Sequence, residues 1–161
     1  MSKVYLIGFM GTGKSAVGHR LRGRYTVDEL DEHFEQKHGQ TIPSFFAEYG
    51  EAGFRTHESE LLRNSNAEVV VTGGGIVERE ENRLFMKKAG TVIWIDTPFD
   101  VIWKRIASDS NRPLVTEREQ VKHLFDRRYS LYAGVATVRI EGTTSIEGLV
   151  HAIETVLEEK S

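Results

Sequence analysis

The sequence predicts an α/β domain in which helices cover both faces of a mostly parallel sheet of about five strands. Short apolar segments alternate with helical patterns along the whole chain. Four of these segments read almost continuously apolar: residues 4–9, 68–72, 91–96 and 136–140. Continuous hydrophobicity of this kind is typical of strands that are buried on both faces. A weaker and very short candidate strand lies near residues 25–27.

The last segment of the chain is predicted to be an amphipathic helix docked on this sheet. Its apolar residues recur with a period of about 3.6 residues. They are Ile146, Leu149, Val150, Ile153, Val156 and Leu157. The chain has 161 residues and contains no internal repeat, low-complexity segment or linker. We therefore predict that residues 1–161 form a single domain with one core.

Composition argues against several classes of function. The formal net charge of −3 disfavours nucleic acid or a membrane surface as the main partner. The chain has no cysteine, so disulfides and thiolate metal sites are excluded, and its histidines are not spaced as metal ligands. No apolar run approaches the roughly 18 residues of a membrane helix, and the N-terminal run lacks a signal cleavage site. We expect a cytoplasmic protein.

Residues 8–15 read Gly-Phe-Met-Gly-Thr-Gly-Lys-Ser, a full match to the phosphate-binding pattern G-x-x-x-x-G-K-[ST]. A candidate strand precedes the match and a helical pattern follows it, as the motif requires. Glycines let successive backbone N–H groups face one anion, and the next helix directs its positive dipole end at the phosphates. Lys14 is expected to contact the β- and γ-phosphates and Ser15 to bind Mg²⁺. The alternative is a glycine-rich turn without a ligand.

A second group of charged residues indicates an anionic acceptor. The segment from Glu51 to Asn64 is predicted to be helical, and Glu58 falls on its apolar stripe one turn after Arg55. A solvated surface ion pair is the common alternative at this spacing. However, a glutamate that faces inward needs a partner, because burying an unpaired charge is costly. We predict that Glu58 orients Arg55, which can then bind a substrate carboxylate through two hydrogen bonds.

Arg128 presents the same anomaly in a later helix, because it lies within an apolar face. The apolar residues of this face are Val121, Leu124, Phe125 and Tyr132. One interpretation is an arginine at the edge of the stripe that extends its charged end to solvent. The functional interpretation pairs Arg128 with a carboxylate, as for Arg55.

Gly73, Gly74 and Gly75 directly follow the predicted strand at residues 68–72. A plain strand-to-helix turn is one interpretation, although three consecutive glycines exceed what such a turn needs. The functional interpretation is that backbone N–H groups approach a ligand here without side-chain obstruction. This strand carries no acidic residue at its tip, unlike the corresponding strand of GTPases and motor ATPases.

Asp28, Glu29 and Asp31 form an acidic cluster beside the short candidate strand. Any of the three could cap the following helix. Alternatively, one carboxylate holds a water bound to Mg²⁺ and another orients or deprotonates the attacking hydroxyl. The residues by themselves leave open which carboxylate takes which role, and we expect Glu29 and Asp31 at the end of one extended segment, facing different sides.

Residues 108–118 are predicted to form a lid. This polar stretch lies between two predicted helices and contains Arg112 followed by Pro113. A lid that closes once both substrates are bound would exclude water and bring Arg112 to the transferring phosphate. A solvated arginine in an ordinary loop is the alternative.

Taken together, these motifs closely resemble the shikimate kinase family, and the resemblance runs from about Lys3 to the last helix. The residues that carry it are G-F-M-G-T-G-K-S at 8–15, E-L-D at 29–31, G-x-x-F-R-x-x-E ending at 58, T-G-G-G at 72–75, R-P-L at 112–114 and R-x-x-L-Y at 128–132. The resemblance implies a three-layer α/β/α P-loop kinase fold with strand order 2-3-1-4-5 and a lid. The helical segment at about residues 31–64 would bind the substrate.

The resemblance also implies a reaction: transfer of the γ-phosphate of ATP, with Mg²⁺, to the 3-hydroxyl group of shikimate in aromatic amino acid biosynthesis. Lys14, Asp31 and Arg112 would be catalytic, with Asp31 as the candidate base. The residues implied to bind ATP are Gly11, Thr12, Gly13, Lys14, Ser15, Ala16, Arg105 and Arg112. Those implied to bind shikimate are Asp31, Arg55, Gly73, Gly74, Gly75 and Arg128.

The implied metal site consists of Ser15 and Glu29, where the family usually has an aspartate in place of Glu29. The expected partners are the small molecules ATP and shikimate, with no nucleic acid or membrane, and we expect a monomer. Two rival functions remain open. One is another small-metabolite kinase of the same fold, such as a gluconate kinase, since gluconate also offers a carboxylate and hydroxyls. The other is a regulatory protein that binds nucleotide without catalysis.

Overall fold

The computed structural model describes residues 3–109 and 115–160 of the chain. Within these ranges the strands are β1 (Lys3–Ile7), β2 (Val27–Glu29), β3 (Val69–Val71), β4 (Gly90–Asp96) and β5 (Val138–Glu141). The helices are α1 (Lys14–Leu21), α2 (Leu30–His38), α3 (Ile42–Asn64), α4 (Glu80–Ala89), α5 (Phe99–Asp109), α6 (Val115–Val135) and α7 (Ile146–Lys160). A short 3-10 helix, Ile76–Glu78, lies between β3 and α4.

The described strands form one parallel sheet in the order β2-β3-β1-β4-β5. This order and the predicted α/β class are therefore confirmed. The weakest strand prediction is displaced by about two residues: β2 covers Val27–Glu29 because Glu29 pairs in register with Val71 of β3. Parallel strands align their carboxyl ends at one edge of the sheet, where open α/β folds bind ligands.

The sheet is covered on both faces, which gives the predicted three layers. Side chains of β1 alternate between the faces, with Tyr5 and Ile7 in one buried cluster and Val4 and Leu6 in the other. The second cluster also contains residues of the predicted C-terminal stripe: Leu149, Val150, Ile153 and Leu157. The docking of α7 on the sheet is thus confirmed. No helix in the part of the chain that the structure describes is long and apolar enough to cross a membrane.

The start of α2 corrects one expectation. Glu29 and Asp31 do not share an extended segment, because α2 begins at Leu30 and Asp31 lies in its first turn. The physical reason is a helix cap: the Glu29 carboxylate accepts the backbone N–H of Glu32 at 3.2 Å. Of the acidic residues considered as caps, it is Glu29 that fills this role.

Helix α3 contains the predicted helix at residues 51–64 as its second half. The two halves meet at Gly50, whose φ of 77° interrupts the helical backbone. Of the predicted lid at residues 108–118, residues 108–109 belong to the end of α5 and residues 115–118 to the start of α6. Residues 110–114, and Arg112 with them, lie outside the described residues.

Candidate active site

A cavity of about 310 Å³ opens at the carboxyl ends of β1, β2 and β3. Its walls come from the phosphate-binding loop, the start of α2 and the turn after β3. The lining residues are Met10, Gly11, Thr12, Gly13, Lys14, Ser15, Ala16, Glu29, Asp31, Thr72, Gly73 and Gly74. Segments that are far apart in the sequence and were predicted separately therefore meet around one space.

The phosphate-binding loop ends at Gly13, which precedes α1 and has a φ of 98°. This left-handed conformation is strained for residues with a Cβ, so a glycine is needed at this position. Because the helix begins at Lys14, the N–H groups of its first turn have no intrahelical acceptors and lie at the cavity. Such a helix terminus is an anion-binding site.

Lys14 is buried in the loop. Its Nζ donates to the carbonyl oxygens of Gly8 at 2.5 Å and Phe9 at 3.0 Å. Burial lowers the pKa of Lys14 to about 8, although the nearby carboxylates of Asp31 and Glu29 act in the opposite direction. Burial makes the charged form of Lys14 unfavourable, so a phosphate that binds beside it stabilises this charge strongly.

Ser15 and Glu29 face each other across the cavity wall. The Ser15 hydroxyl donates to Glu29 Oε1 at 3.4 Å, while the other oxygen of Glu29 caps α2. Burial and the neighbouring Asp31 raise the pKa of Glu29. Hydroxyl and carboxylate oxygens suit Mg²⁺, which usually takes one or two protein groups and completes its shell with waters and phosphates. The pair therefore fits a magnesium ion. In residues 3–109 and 115–160, no cluster of three or more His, Cys, Asp or Glu side chains could hold a metal ion.

Asp31 projects from the first turn of α2 onto the turn after β3. A Cβ added to Gly73 would lie 2.9 Å from Asp31 Oδ1, so the carboxylate occupies space that only a glycine leaves free. Burial raises the pKa of Asp31 and Glu35 adds to the effect, while Lys14 and Arg55 oppose it. A carboxylate in a cavity with a raised pKa is suited to accept a proton from a hydroxyl.

Asp28, the remaining acidic candidate, is not among the residues that line this cavity. Its carboxylate accepts the Ser65 hydroxyl at 2.6 Å and lies 3.0 Å from Nδ1 of His33. Asp28 therefore serves the packing between β2 and the end of α3.

The predicted pair of Arg55 and Glu58 is confirmed. Arg55 Nη1 donates to Glu58 Oε1 at 2.8 Å, and Nε lies 3.4 Å from a carboxylate oxygen of the more exposed Glu51. Arg55 is 9% exposed and Glu58 is 3% exposed, so this is not a solvated surface pair. Burial raises the pKa of Glu58 while the Arg55 guanidinium opposes the rise. A buried pair of this kind is costly to break by removing one partner.

Arg128 is also buried, which rules out the interpretation that it extends to solvent. Its Nε donates to Oε2 of Glu78 at 2.7 Å. On the same helix, the Tyr132 hydroxyl donates to the carbonyl oxygen of Gly74 at 2.6 Å. Helix α6 is thereby joined by polar contacts to the turn after β3 and to the 3-10 helix that follows it.

Both arginines converge on this glycine turn. A Cβ on Gly75 would lie 2.2 Å from Arg55 Nη2, and one on Gly74 would lie 3.5 Å from Arg128 Nη1. Gly75 thus leaves the space that the Arg55 guanidinium occupies, while Arg128 lies at ordinary contact distance from Gly74. Two arginines side by side favour an acceptor with a carboxylate.

Arg105, on α5, lies outside the cavity lining but touches the loop. Its Nη1 donates to the carbonyl oxygen of Gly11 at 2.8 Å. This position is compatible with the implied contact to adenine, which stays a prediction, as does the role of Arg112.

Sequence reasoning missed Glu78, Thr72 and Met10. Glu78 lies in the polar run Glu78-Arg79-Glu80-Glu81, and nothing in that run distinguishes it. Thr72 is predicted as the end of a strand and as part of the T-G-G-G motif but not as a site residue, and its buried hydroxyl donates to the carbonyl oxygen of Leu6. Met10 occupies a variable position of the loop pattern, yet it lines the cavity and is 44% exposed.

Comparison with known proteins gives a consistent family. The family model described as "Shikimate kinase" matches residues 10–158. A shikimate kinase from Persephonella marina is 40% identical over 146 residues, which cover 87% of this chain and 88% of the relative. The solved structure of shikimate kinase from Aquifex aeolicus is 36% identical, has a TM-score of 0.82 and covers 98% of this chain and 97% of that chain. The shikimate kinase from Acinetobacter baumannii, solved in complex with shikimate, is 32% identical, has a TM-score of 0.88 and covers 100% of this chain and 95% of that chain.

Proposed function

The chain belongs to the shikimate kinase family, and we propose that it transfers the γ-phosphate of ATP to the 3-hydroxyl group of shikimate in the cavity at the carboxyl ends of β1 to β3. The observation that carries this proposal is the pair of buried arginines, Arg55 and Arg128, beside a phosphate-binding loop. A kinase that phosphorylates a hydroxy acid must bind the carboxylate at one end of the acceptor. It must also hold the phosphates of ATP next to the hydroxyl group at the other end.

On the donor side, the N-terminus of α1 and Lys14 bind the β- and γ-phosphates. Lys14 is held near these positions by the carbonyl oxygens of Gly8 and Phe9, so little reorganisation is needed when charge develops on the transferring phosphate. Arg105, whose Nη1 donates to the carbonyl oxygen of Gly11, is proposed to contact the adenine.

On the acceptor side, Arg55 and Arg128 bind the carboxylate of shikimate, and the turn of Gly73, Gly74 and Gly75 faces its ring. Asp31 lies between this turn and the phosphate-binding loop. There it orients the 3-hydroxyl group and accepts its proton during transfer.

The proposed cofactor is Mg²⁺, which the Ser15 hydroxyl and the Glu29 carboxylate would hold. When bound, the ion neutralises charge on the phosphates of ATP. Glu29 replaces the aspartate that is usual in this family, and one of its carboxylate oxygens caps α2.

We further propose that the enzyme is a cytoplasmic monomer. This chain by itself supplies the phosphate-binding loop, Asp31 and both buried arginines, as a monomeric enzyme requires. Sedimentation of the purified protein with and without substrates tests the oligomeric state, and a stable dimer would contradict it.

Calorimetric titration of both substrates against arginine variants tests the proposed acceptor site. Arg55→Leu and Arg128→Leu are each expected to weaken shikimate binding about 10- to 100-fold, because a charge-assisted hydrogen bond contributes about 1.5–3 kcal/mol. ATP affinity is expected to stay unchanged. Arg63→Leu is the control, because Arg63 lies on the same helix but is exposed and pairs only loosely with Glu81. Equal losses for ATP and shikimate, or none, would contradict the assignment.

An acceptor panel separates this function from its rivals. Shikimate is expected to stimulate ADP release above the basal rate, whereas gluconate is not. Stimulation by gluconate alone would indicate a gluconate kinase, and no stimulation by either would favour a non-catalytic nucleotide-binding protein.

A further inference from the structure

Glu78 ends the 3-10 helix that directly follows the glycine turn, and its carboxylate lies against α6. Oε2 accepts Arg128 Nε at 2.7 Å and Arg127 Nη2 at 2.5 Å. The Glu78 side chain is 18% exposed, the Arg128 side chain 8% and the Arg127 side chain 63%. Burial by itself would raise the pKa of Glu78, but the two guanidinium groups hold it below its ordinary value. Glu78 is therefore a charged acceptor fixed between α6 and the turn.

The contact uses only one edge of the Arg128 guanidinium. Nε is bound to Glu78, while Nη1 is directed toward Gly74, which lines the cavity. Arg55 is arranged in a similar way: Nη1 and Nε are near Glu58 and Glu51, and Nη2 lies over Gly75. Each arginine thus has a protein carboxylate on one side and at least one terminal nitrogen at the glycine turn.

We propose that Glu78 is a positioning residue that holds the Arg128 guanidinium in the orientation needed to bind the carboxylate of the acceptor. This inference rests on the proposed function of the site. A free arginine side chain samples many rotamers, and ordering it when the acceptor binds reduces affinity. Glu78 orders Arg128 beforehand, as Glu58 does for Arg55.

Positioning and simple electrostatics predict opposite results when Glu78 is changed. Two negative charges near one arginine repel each other, so electrostatics alone predicts that removal of Glu78 strengthens the binding of an anionic acceptor. Loss of positioning predicts weaker binding instead. The sign of the change in acceptor affinity therefore distinguishes the two effects.

The test compares Glu78→Ala, Glu78→Gln and Glu78→Asp by calorimetric titration with ATP, shikimate and the methyl ester of shikimate. Glu78→Ala is expected to weaken shikimate binding about tenfold, the scale of one charge-assisted hydrogen bond. Binding of ATP and of the ester is expected to stay unchanged, since neither presents a carboxylate to Arg128. Glu78→Gln keeps an oxygen that can accept Arg128 Nε and is expected to restore most of the affinity. In steady-state kinetics the change is expected in KM for shikimate rather than in kcat.

Glu81→Ala is the matched control, because Glu81 lies three residues further on and makes only exposed pairs with Arg63 and Arg79. If Glu78→Ala does not fold, Glu78→Asp still tests the proposal. It keeps the charge but withdraws the carboxylate by one methylene, and it is expected to weaken shikimate binding several-fold.

The wild-type protein separates failure of this inference from failure of the proposed function. If wild type binds shikimate no better than its methyl ester, the carboxylate clamp itself is wrong. If wild type discriminates between them and both Glu78→Ala and Glu78→Asp discriminate equally well, the role of Glu78 is overturned. Tighter binding of shikimate by Glu78→Ala, or equal losses for shikimate and its ester, would also overturn it.

Discussion

The guanidinium group of Arg55 lies directly over Gly75, in the space that any side chain at that position would need. A Cβ on Gly75 would lie 2.2 Å from Nη2 and 2.5 Å from Cζ of Arg55. The backbone of Gly75 has φ −96° and ψ 8°, which other residues can adopt. Glycine is therefore needed at position 75 to leave space for the Arg55 guanidinium, and not because of the backbone conformation of the turn.

Gly75→Ala is expected to impair acceptor binding while it leaves the fold intact. The added methyl group displaces the Arg55 guanidinium and thereby disturbs its buried pair with Glu58, so we expect a cost in stability of about 1–3 kcal/mol with the fold retained. Loss of the arginine contact is expected to raise KM for shikimate about 10- to 100-fold with little change in KM for ATP. Steady-state kinetics and thermal unfolding measure the two effects.

Gly134→Ala is the matched control for this variant. Gly134 lies in α6, and a Cβ there would have no atom within 4 Å. Alanine is expected to leave the kinetics unchanged and to stabilise the helix by up to about 1 kcal/mol. If Gly75→Ala binds shikimate as the control does, Arg55 is not needed at the position it occupies.

Lys14→Met is expected to reduce kcat by a factor of at least about 100, because a preorganised cation at the transferring phosphate is lost. A binding assay with ADP, together with circular dichroism, establishes that the variant is folded. Turnover close to that of wild type would contradict the assignment of the phosphate-binding loop.

The same variant is expected to make the ligand-free protein more stable at neutral pH. Burial lowers the pKa of Lys14 from 10.5 to about 8, so the folded state binds this proton less tightly than the unfolded state does. The stability of wild type is therefore reduced below pH 8 and recovers as the pH rises from about 8 to 10.5. Lys14→Met removes this cost, although the carbonyl oxygens of Gly8 and Phe9 lose a donor. We expect a net gain on the order of 1 kcal/mol that shrinks across this pH window. Urea unfolding without nucleotide or metal measures it, and a less stable variant at neutral pH would refute the prediction.

Asp31→Asn is expected to lower kcat by about 10²- to 10⁴-fold, because asparagine keeps the shape of the side chain but cannot accept the hydroxyl proton. Asp28→Asn is the control, since Asp28 lies nearby but is bonded to Ser65 outside the cavity. Single-turnover measurements separate the chemical step from product release. Comparable losses in the two variants would indicate a general effect of charge and not a base at Asp31.

Glu29→Gln is expected to raise the concentration of free Mg²⁺ needed for half-maximal rate while sparing shikimate affinity. The glutamine can still accept the N–H of Glu32 through its amide oxygen, so the cap of α2 is retained. Glu29→Asp, which restores the usual residue of the family, is expected to be tolerated. Glu32→Gln, an exposed neighbour paired with His19 and Arg22, is the control. An unchanged dependence on Mg²⁺ in Glu29→Gln would exclude Glu29 from the metal site.

Much of this site was predictable because its signals are local in the sequence. The phosphate-binding loop is a continuous pattern, and an inward-facing Glu58 one turn after Arg55 is visible from helical periodicity alone. Glu78 was not predictable in this way. It lies 50 residues from Arg128 and only three residues beyond a glycine turn, where a charged residue would ordinarily face solvent.

Local patterns in the chain account for the α/β class, the parallel sheet, the anion-binding loop and the presence of two arginines on apolar helix faces, because periodicity and turn chemistry are set by neighbouring residues. The partners of these residues are a property of the folded protein. It paired Arg128 with Glu78, gave Glu29 the cap of α2 and placed Arg55 over Gly75. Such contacts depend on how α2, α3 and α6 pack around the carboxyl edge of the sheet. A buried charge takes whichever partner that packing brings within hydrogen-bonding distance, and sequence separation does not enter into it.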